Sequence, residues 1–199
     1  MDKDDTTRLQ RALGVAPDGI LGRNTLRALF ARFGAAPGLA GELALAGLVH
    51  MDAAGILASP RRLSHFMPQV AHESGGFRYM EEIWGPTKAQ RRYEGRADLG
   101  NTVVGDGFRY KGRGPLQVTG RANYRRLGCK IGVDLEQHPE LAAIPSVGLW
   151  IGCIYWTEHA INGLADADDV EAVTRAINGG LNGFDDRKAL LAKARGLFA

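Results

Sequence analysis

Cysteine is scarce. Cys129 and Cys153 are the only two in 199 residues, too few for a disulfide framework, and both sit among apolar neighbours that suit buried free thiols. No apolar run is long enough to cross a bilayer as a helix. The opening residues Met1-Asp2-Lys3-Asp4-Asp5 are acidic and offer no signal-peptide core, so the expectation is a chain made, and at first held, in a cytoplasm. Clear strand alternation is rare, and there is neither a repeat of fixed period nor a low-complexity tract. Strong charge of one sign is also missing. The net charge of +3 and pI near 9.0 are modestly basic, which suits an acidic partner such as a bacterial envelope or a nucleic acid without choosing between them. The composition, 45% hydrophobic and 24% charged, fits a globular chain with one sizeable core and room for a small appendage.

What is present is helical periodicity. Leu63, Phe66, Met67 and Val70 fall on one helix face that runs into His72-Glu73 and ends at Gly75-Gly76. This places Glu73 in the last turn of a mostly buried helix. There the negative end of the helix dipole and partial burial both disfavour its charge, as a general acid working near neutral pH requires. Upstream, Leu9, Leu13, Leu26, Leu29 and Phe30 predict two short amphipathic helices around a turn at Pro17-Asp18-Gly19-Ile20-Leu21-Gly22. Residues 34–41 read as a linker. Residues 85–107 are polar and broken by Gly and Pro, the pattern of a long functional loop. The stretch that starts at Phe108 opens as strand or extended chain, Ala122 to Leu127 reads as the beginning of a helix, and further helices follow from Pro145, from Asp168 or Asp169, and from Arg187.

The string Leu9-Gln10-Arg11-Ala12-Leu13-Gly14, Asp18-Gly19-Ile20-Leu21-Gly22 and Thr25-Leu26-Arg27-Ala28-Leu29 resembles the peptidoglycan-binding module of cell-wall hydrolases, over part of that module's length. A second resemblance rests on His72-Glu73-Ser74-Gly75-Gly76-Phe77, on Tyr110-Lys111-Gly112-Arg113-Gly114-Pro115-Leu116-Gln117-Val118-Thr119-Gly120-Arg121-Ala122-Asn123-Tyr124 and on Thr174-Arg175-Ala176-Ile177-Asn178-Gly179-Gly180. These resemble, in order, glycoside hydrolase family nineteen, the chitinase-like group that includes phage and prophage endolysins. The expected architecture is mainly α. Residues 1–36 form a partial peptidoglycan-binding-like module, 37–41 a linker, and 42–199 a lysozyme-like helical glycosidase domain with a deep cleft.

The resemblance implies an inverting glycosidase, whose two carboxyls flank the bond roughly 6.5–9.5 Å apart with a water beside one of them. Glu73 is then the acid and Glu82 the base, with Glu81 and Glu94 as competitors. Thr119 matches the position that helps hold the water. Gln117 and Asn123 match polar substrate contacts, and Asn178 a contact near the sugar N-acetyl group. Arg113 is a candidate substrate contact and, with Arg187, a candidate for orienting a carboxylate or supporting the cleft wall; Tyr110 and Trp84 are candidates for stacking on sugar faces. Thr and Asn equally serve as local backbone caps, and the aromatics equally serve a core.

Competing chemistries lack their residues. The helix at His72-Glu73 has no second His for a zinc protease, and His65 and His72 stand two turns apart with no third ligand near. No phosphate-cradling Gly loop is present, and no cofactor or metal is implied. The basic run Arg109, Lys111, Arg113, Arg121, Arg125 and Arg126 carries no nucleic-acid motif. The expectation is therefore a monomeric endolysin hydrolysing the bond between N-acetylmuramic acid and N-acetylglucosamine in peptidoglycan glycan strands. It would need no stable membrane insertion, no nucleic acid, and a membrane-permeabilising, holin-type partner to reach the periplasmic wall. A chitinase, a lytic transglycosylase and a non-catalytic wall-binding protein are the alternatives.

Overall fold

The computed structural model describes every residue except Trp84 and Pro86, so the stacking expectation for Trp84 lies outside the described residues. The architecture is mainly α, as the periodicity predicts. The elements are α1 (Lys3–Leu13), α2 (Arg23–Arg32), α3 (Pro37–Ala53), α4 (Pro60–Glu73), α5 (Lys88–Tyr93), α6 (Asp106–Arg109), α7 (Arg121–Ile131), α8 (Pro145–Glu158), α9 (Ile161–Asp166), α10 (Val170–Asn178) and α11 (Phe184–Arg195). Among the described residues, β pairing is limited to isolated bridges, Glu81 with Arg113 and Arg113 with Val118.

Local chemistry sets several boundaries. Asp2 accepts from the Asp5 N–H at the start of α1, and Ser59 from the Arg62 N–H at the start of α4, where Pro60 takes the first helical position. Thr87 and Gln90 form a reciprocal capping box on α5. This helix lies inside the stretch expected to be irregular. Of the two candidate caps for α10, Asp169 accepts from the Ala172 N–H. Asp168 instead takes a left-handed conformation and pairs with His65 and Arg195. The segment read as extended from Phe108 opens within the short helix α6.

Two cores form. The larger joins Leu9, Leu26, Leu29 and Phe30 to Leu43, Met51, Phe66, Val70, Leu149, Trp156 and Val173. The smaller gathers Tyr110, Tyr124, Leu127, Ile131, Leu135, Ala142 and Ile151 around α7. α8 serves both, with Leu149 and Trp156 in one and Ile151 in the other.

Three expectations are corrected here. Residues 37–41 are not a linker: Pro37 opens α3 at a position where its missing N–H costs nothing, and Ala40 and Gly41 are already buried. Residues 1–36 share the main core rather than forming a separate one. Cys153 is buried but Cys129 is exposed, and both are free.

The N-terminal unit also supports the end of α4. Phe30 meets Phe77 edge-on, with ring centroids 5.5 Å apart. Gly34 lies so near Gly76 that a Cβ there would come within 2.8 Å of the Gly76 carbonyl oxygen. Deleting residues 1–36 therefore strips several large side chains from the core, each worth about 2–5 kcal/mol when truncated. The shortened chain is expected to lose cooperative thermal unfolding in calorimetry; a sharp transition near that of the full chain would show that the unit folds apart.

Candidate active site

α4 ends at Glu73, and the turn that follows fixes where its carboxylate stands. Ser74 is buried. Its Oγ donates to the Val70 carbonyl at 2.6 Å and accepts from the Phe77 N–H at 2.9 Å. Gly75, Gly76 and Phe77 then all take positive φ, 58°, 71° and 62°. Two glycines make that run accessible, and Phe77 bears the strain because its ring is buried against Phe30.

Opposite Glu73 stands Arg187, on the first turns of α11 and 1% exposed. Its guanidinium donates to the Glu73 carboxylate, to the Gln69 side-chain oxygen and, at 3.3 Å, to the Asn182 carbonyl. Gln69 lies one turn before Glu73, so both present oxygen to the same cation from one helix face. A second rung ties the neighbouring residues, His72 Nδ1 with Asp186 Oδ2 at 2.6 Å. Besides the helix end and its partial burial, Glu73 faces the full positive charge of Arg187.

The chain from Tyr79 to Glu82 runs beside residues 112–118. Gln117 Nε2 donates to the Tyr79 carbonyl at 3.2 Å, the Gly114 N–H to the Met80 carbonyl at 2.8 Å, and the Glu82 N–H to the Gly112 carbonyl at 2.8 Å. The three candidate bases are thereby separated. Glu81 is held by Lys111 at 3.2 Å and by Arg113 at 2.9 Å. Burial raises its carboxyl, but these two cations outweigh that and hold it below the usual carboxylate range. Glu94 accepts from the Gly105 and Gly107 N–H groups, at 2.6 and 2.9 Å, and so pins the loop. The half-buried Glu82 carboxylate accepts from the Gly112 N–H at 3.1 Å.

Four other expected residues meet in one cavity of about 360 Å³, whose lining includes Gln117, Thr119, Asn123, Asn178, Tyr155 and Leu116. Side chains from both cores contribute to it. Thr119 donates to the Gln117 carbonyl at 3.0 Å, Asn123 to the Thr119 carbonyl at 2.8 Å, and Asn178 to the Asn182 carbonyl at 3.0 Å. These local bonds orient the polar groups without removing them from the cavity wall. Neither Glu73 nor Glu82 belongs to that lining. Burial pushes the phenol of Tyr155 in that lining up, and the charge of Glu73 adds to the effect.

Two expected substrate contacts are corrected. Tyr110 is 1% exposed, packs its ring 5.4 Å from that of Tyr124 and donates its hydroxyl to the Glu136 carbonyl at 3.0 Å. It has no free face for a sugar. Arg113 is buried among Glu81, the Arg109 carbonyl and the Tyr124 hydroxyl, so it orients a carboxylate behind the cleft. Gln69 and Tyr155 were missed by the sequence reading. The signal for Gln69 was available: it stands four residues before Glu73, on the same helix face.

The family model described as chitinase class I, glycoside hydrolase family 19, matches residues 48–174. A glycosyl hydrolase family 19 domain-containing protein of Haemophilus influenzae is 34% identical, over 61% of this chain and 72% of its own. Chitinase 6 of Oryza sativa subsp. japonica is 33% identical over 62% of this chain, a match that spans 44% of the rice protein. In fold, the chain is similar to a bacterial family 19 chitinase, with TM-score 0.61 and 23% identity over 84% of this chain and 87% of that one. It is also similar to a class IV chitinase of Zea mays, with TM-score 0.58 and 22% identity over 96% and 90%.

Removing Arg187 leaves Glu73 and Gln69 without their shared cation. Arg187→Met is expected to lower unfolding free energy by about 3 kcal/mol, the lower end for a broken buried pair because Glu73 is partly exposed. Urea denaturation measures it, and a change below about 0.5 kcal/mol would mean that the clamp contributes nothing.

Proposed function

The chain belongs to glycoside hydrolase family 19, the chitinase class I family, and from that premise we propose that it hydrolyses the β-1,4 glycan of peptidoglycan with inversion, Glu73 acting as general acid and Glu82 as general base. The observation that carries the pairing is the sorting of the carboxylates. Glu73 is clamped by Arg187 at the end of α4. Glu81 and Glu94 are committed to cations and to loop N–H groups, which leaves Glu82 as the carboxylate with a single backbone partner among the contacts described.

In this mechanism Glu73 protonates the departing glycosidic oxygen. Glu82 takes a proton from the water that attacks the anomeric carbon from the opposite face. Thr119 holds that water, and Gln117, Asn123 and Asn178 contact the sugar from the cavity wall. On this reading the protein is a monomeric endolysin. It reaches glycan strands of the periplasmic wall from the host cytoplasm once a membrane-permeabilising partner lets it pass. Support for a wall substrate comes from residues 1–36. There the turn at Asp18-Gly19-Ile20 wraps Gln10, whose side chain bonds Asp18, Gly19, Ile20 and Thr25, beside a cavity of about 520 Å³. A second reading, hydrolysis of poly-N-acetylglucosamine, is favoured by the plant relatives, which are named chitinases and endochitinases.

Purified sacculi and soluble chitin oligomers, digested in parallel and analysed by mass spectrometry, test both readings. New reducing N-acetylmuramic acid ends are expected from sacculi. Action on chitin oligomers alone would transfer the assignment to the second reading. In the same assay Glu73→Gln and Glu82→Gln are expected to lose about 10²-fold or more in turnover, while Glu81→Gln and Glu94→Gln lose far less. A dead Glu81→Gln or Glu94→Gln beside an active Glu82→Gln would overturn the base assignment.

A further inference from the structure

We infer that Tyr79 is a stacking platform for one N-acetylhexosamine ring of the glycan, set beside the acid at Glu73. The inference rests on the glycan-hydrolase reading above and extends it to a residue which that reading leaves unused.

Tyr79 is 44% exposed. Among the described residues it is the only Phe, Tyr or Trp in the exposed class; the others are buried or half-buried. A ring left partly in water forgoes part of its burial, and this one stands on the turn that follows the proposed acid, where a sugar ring can cover it.

This ring is fixed. The Tyr79 N–H donates to the Ser74 carbonyl at 3.0 Å, and its carbonyl accepts from Gln117 Nε2 at 3.2 Å. One edge of the ring lies against Gly75, where a Cβ would come 2.9 Å from its Cδ2 and 3.1 Å from its Cε2. The guanidinium of Arg78 stands 5.9 Å from the ring centroid while its Nε donates to the Gly75 carbonyl at 2.8 Å. Tyr79 is thus locked between the turn that follows Glu73 and the Gln117 that lines the cavity. The glycine at 75 has two uses: its left-handed φ of 58° turns the chain, and its missing side chain admits the ring.

A pyranose presents a face of axial C–H groups, apolar and slightly positive, that matches the negative face of an aromatic ring. An N-acetylhexosamine adjoining the scissile bond can lie on Tyr79 while its neighbour's N-acetyl and hydroxyl groups meet Gln117, Thr119 and Asn123. An aromatic ring with one wet edge costs little conformational entropy to use, because two torsions fix it.

Steady-state kinetics on solubilised glycan strands and on N-acetylglucosamine hexamer test the inference, using whichever the full-length protein cleaves. Tyr79→Ala is expected to raise KM about fivefold, the scale of one aromatic contact, with the loss falling in KM rather than kcat. Tyr79→Trp and Tyr79→Phe, which keep a flat face, are expected to hold KM within about twofold. An unchanged KM in Tyr79→Ala overturns the platform and leaves the hydrolase reading standing. So does a loss confined to kcat, or a failure of Trp and Phe to restore KM. A full-length protein that cleaves neither glycan overturns both.

Discussion

A buried arginine organises this molecule. Arg187 cannot shed its proton, so burying it obliges the fold to supply acceptors, and α4 supplies two from successive turns, Gln69 and Glu73. That demand brings the start of α11 against the end of α4 and fixes the carboxylate of Glu73. The neighbouring rung, His72 with Asp186, repeats the register one residue away on both helices. A burial that would be expensive for an unpaired charge becomes a means of holding Glu73 to one position, as an acid catalyst needs.

The second carboxylate is positioned differently. Glu82 stands on a short run of chain bonded to residues 112–118, and its neighbour Glu81 anchors that run through Lys111 and Arg113. Arg113 in turn reaches the Tyr124 hydroxyl at the edge of the smaller core. Each glutamate is therefore tied to its own body of packed side chains: Glu73 to the larger core through α4, Glu82 to the smaller through Arg113. The cavity walled by Gln117, Thr119, Asn123 and Asn178 takes side chains from both.

Much of this was legible in the sequence, for identifiable reasons. The helix ending at Glu73 showed because its apolar spacing ran unbroken to a Gly-Gly pair. Gln117, Thr119 and Asn123 of the cavity wall showed because they belong to one long motif, and Asn178 because it belongs to a shorter one. Arg187 was a candidate only in general terms, since the sequence could not say that residues 114 positions apart would share a proton-bearing contact. Tyr110 and Arg113 read as contacts because aromatic and basic residues near a motif look alike whether they face solvent or core, and burial decides between them. The linker at 37–41 was inferred from Gly, Ala and Pro. Small residues there serve a helix that packs closely, with Pro37 at its first turn. The independence of residues 1–36 could not be read from local pattern either, because it depends on whether Leu9, Leu26 and Phe30 bury against each other or against the rest, and they do both.

The most direct test of the two-carboxylate account is the anomeric form of the first product, followed by proton NMR in the opening minutes of hydrolysis of a β-linked oligosaccharide, before mutarotation. Water delivered by Glu82 to the face opposite Glu73 predicts that the α-anomer appears first. An initial β-anomer would require a covalent intermediate or a same-face attack, and a 1,6-anhydro product would mean that no water is used. Either would contradict the roles assigned here to Glu73 and Glu82.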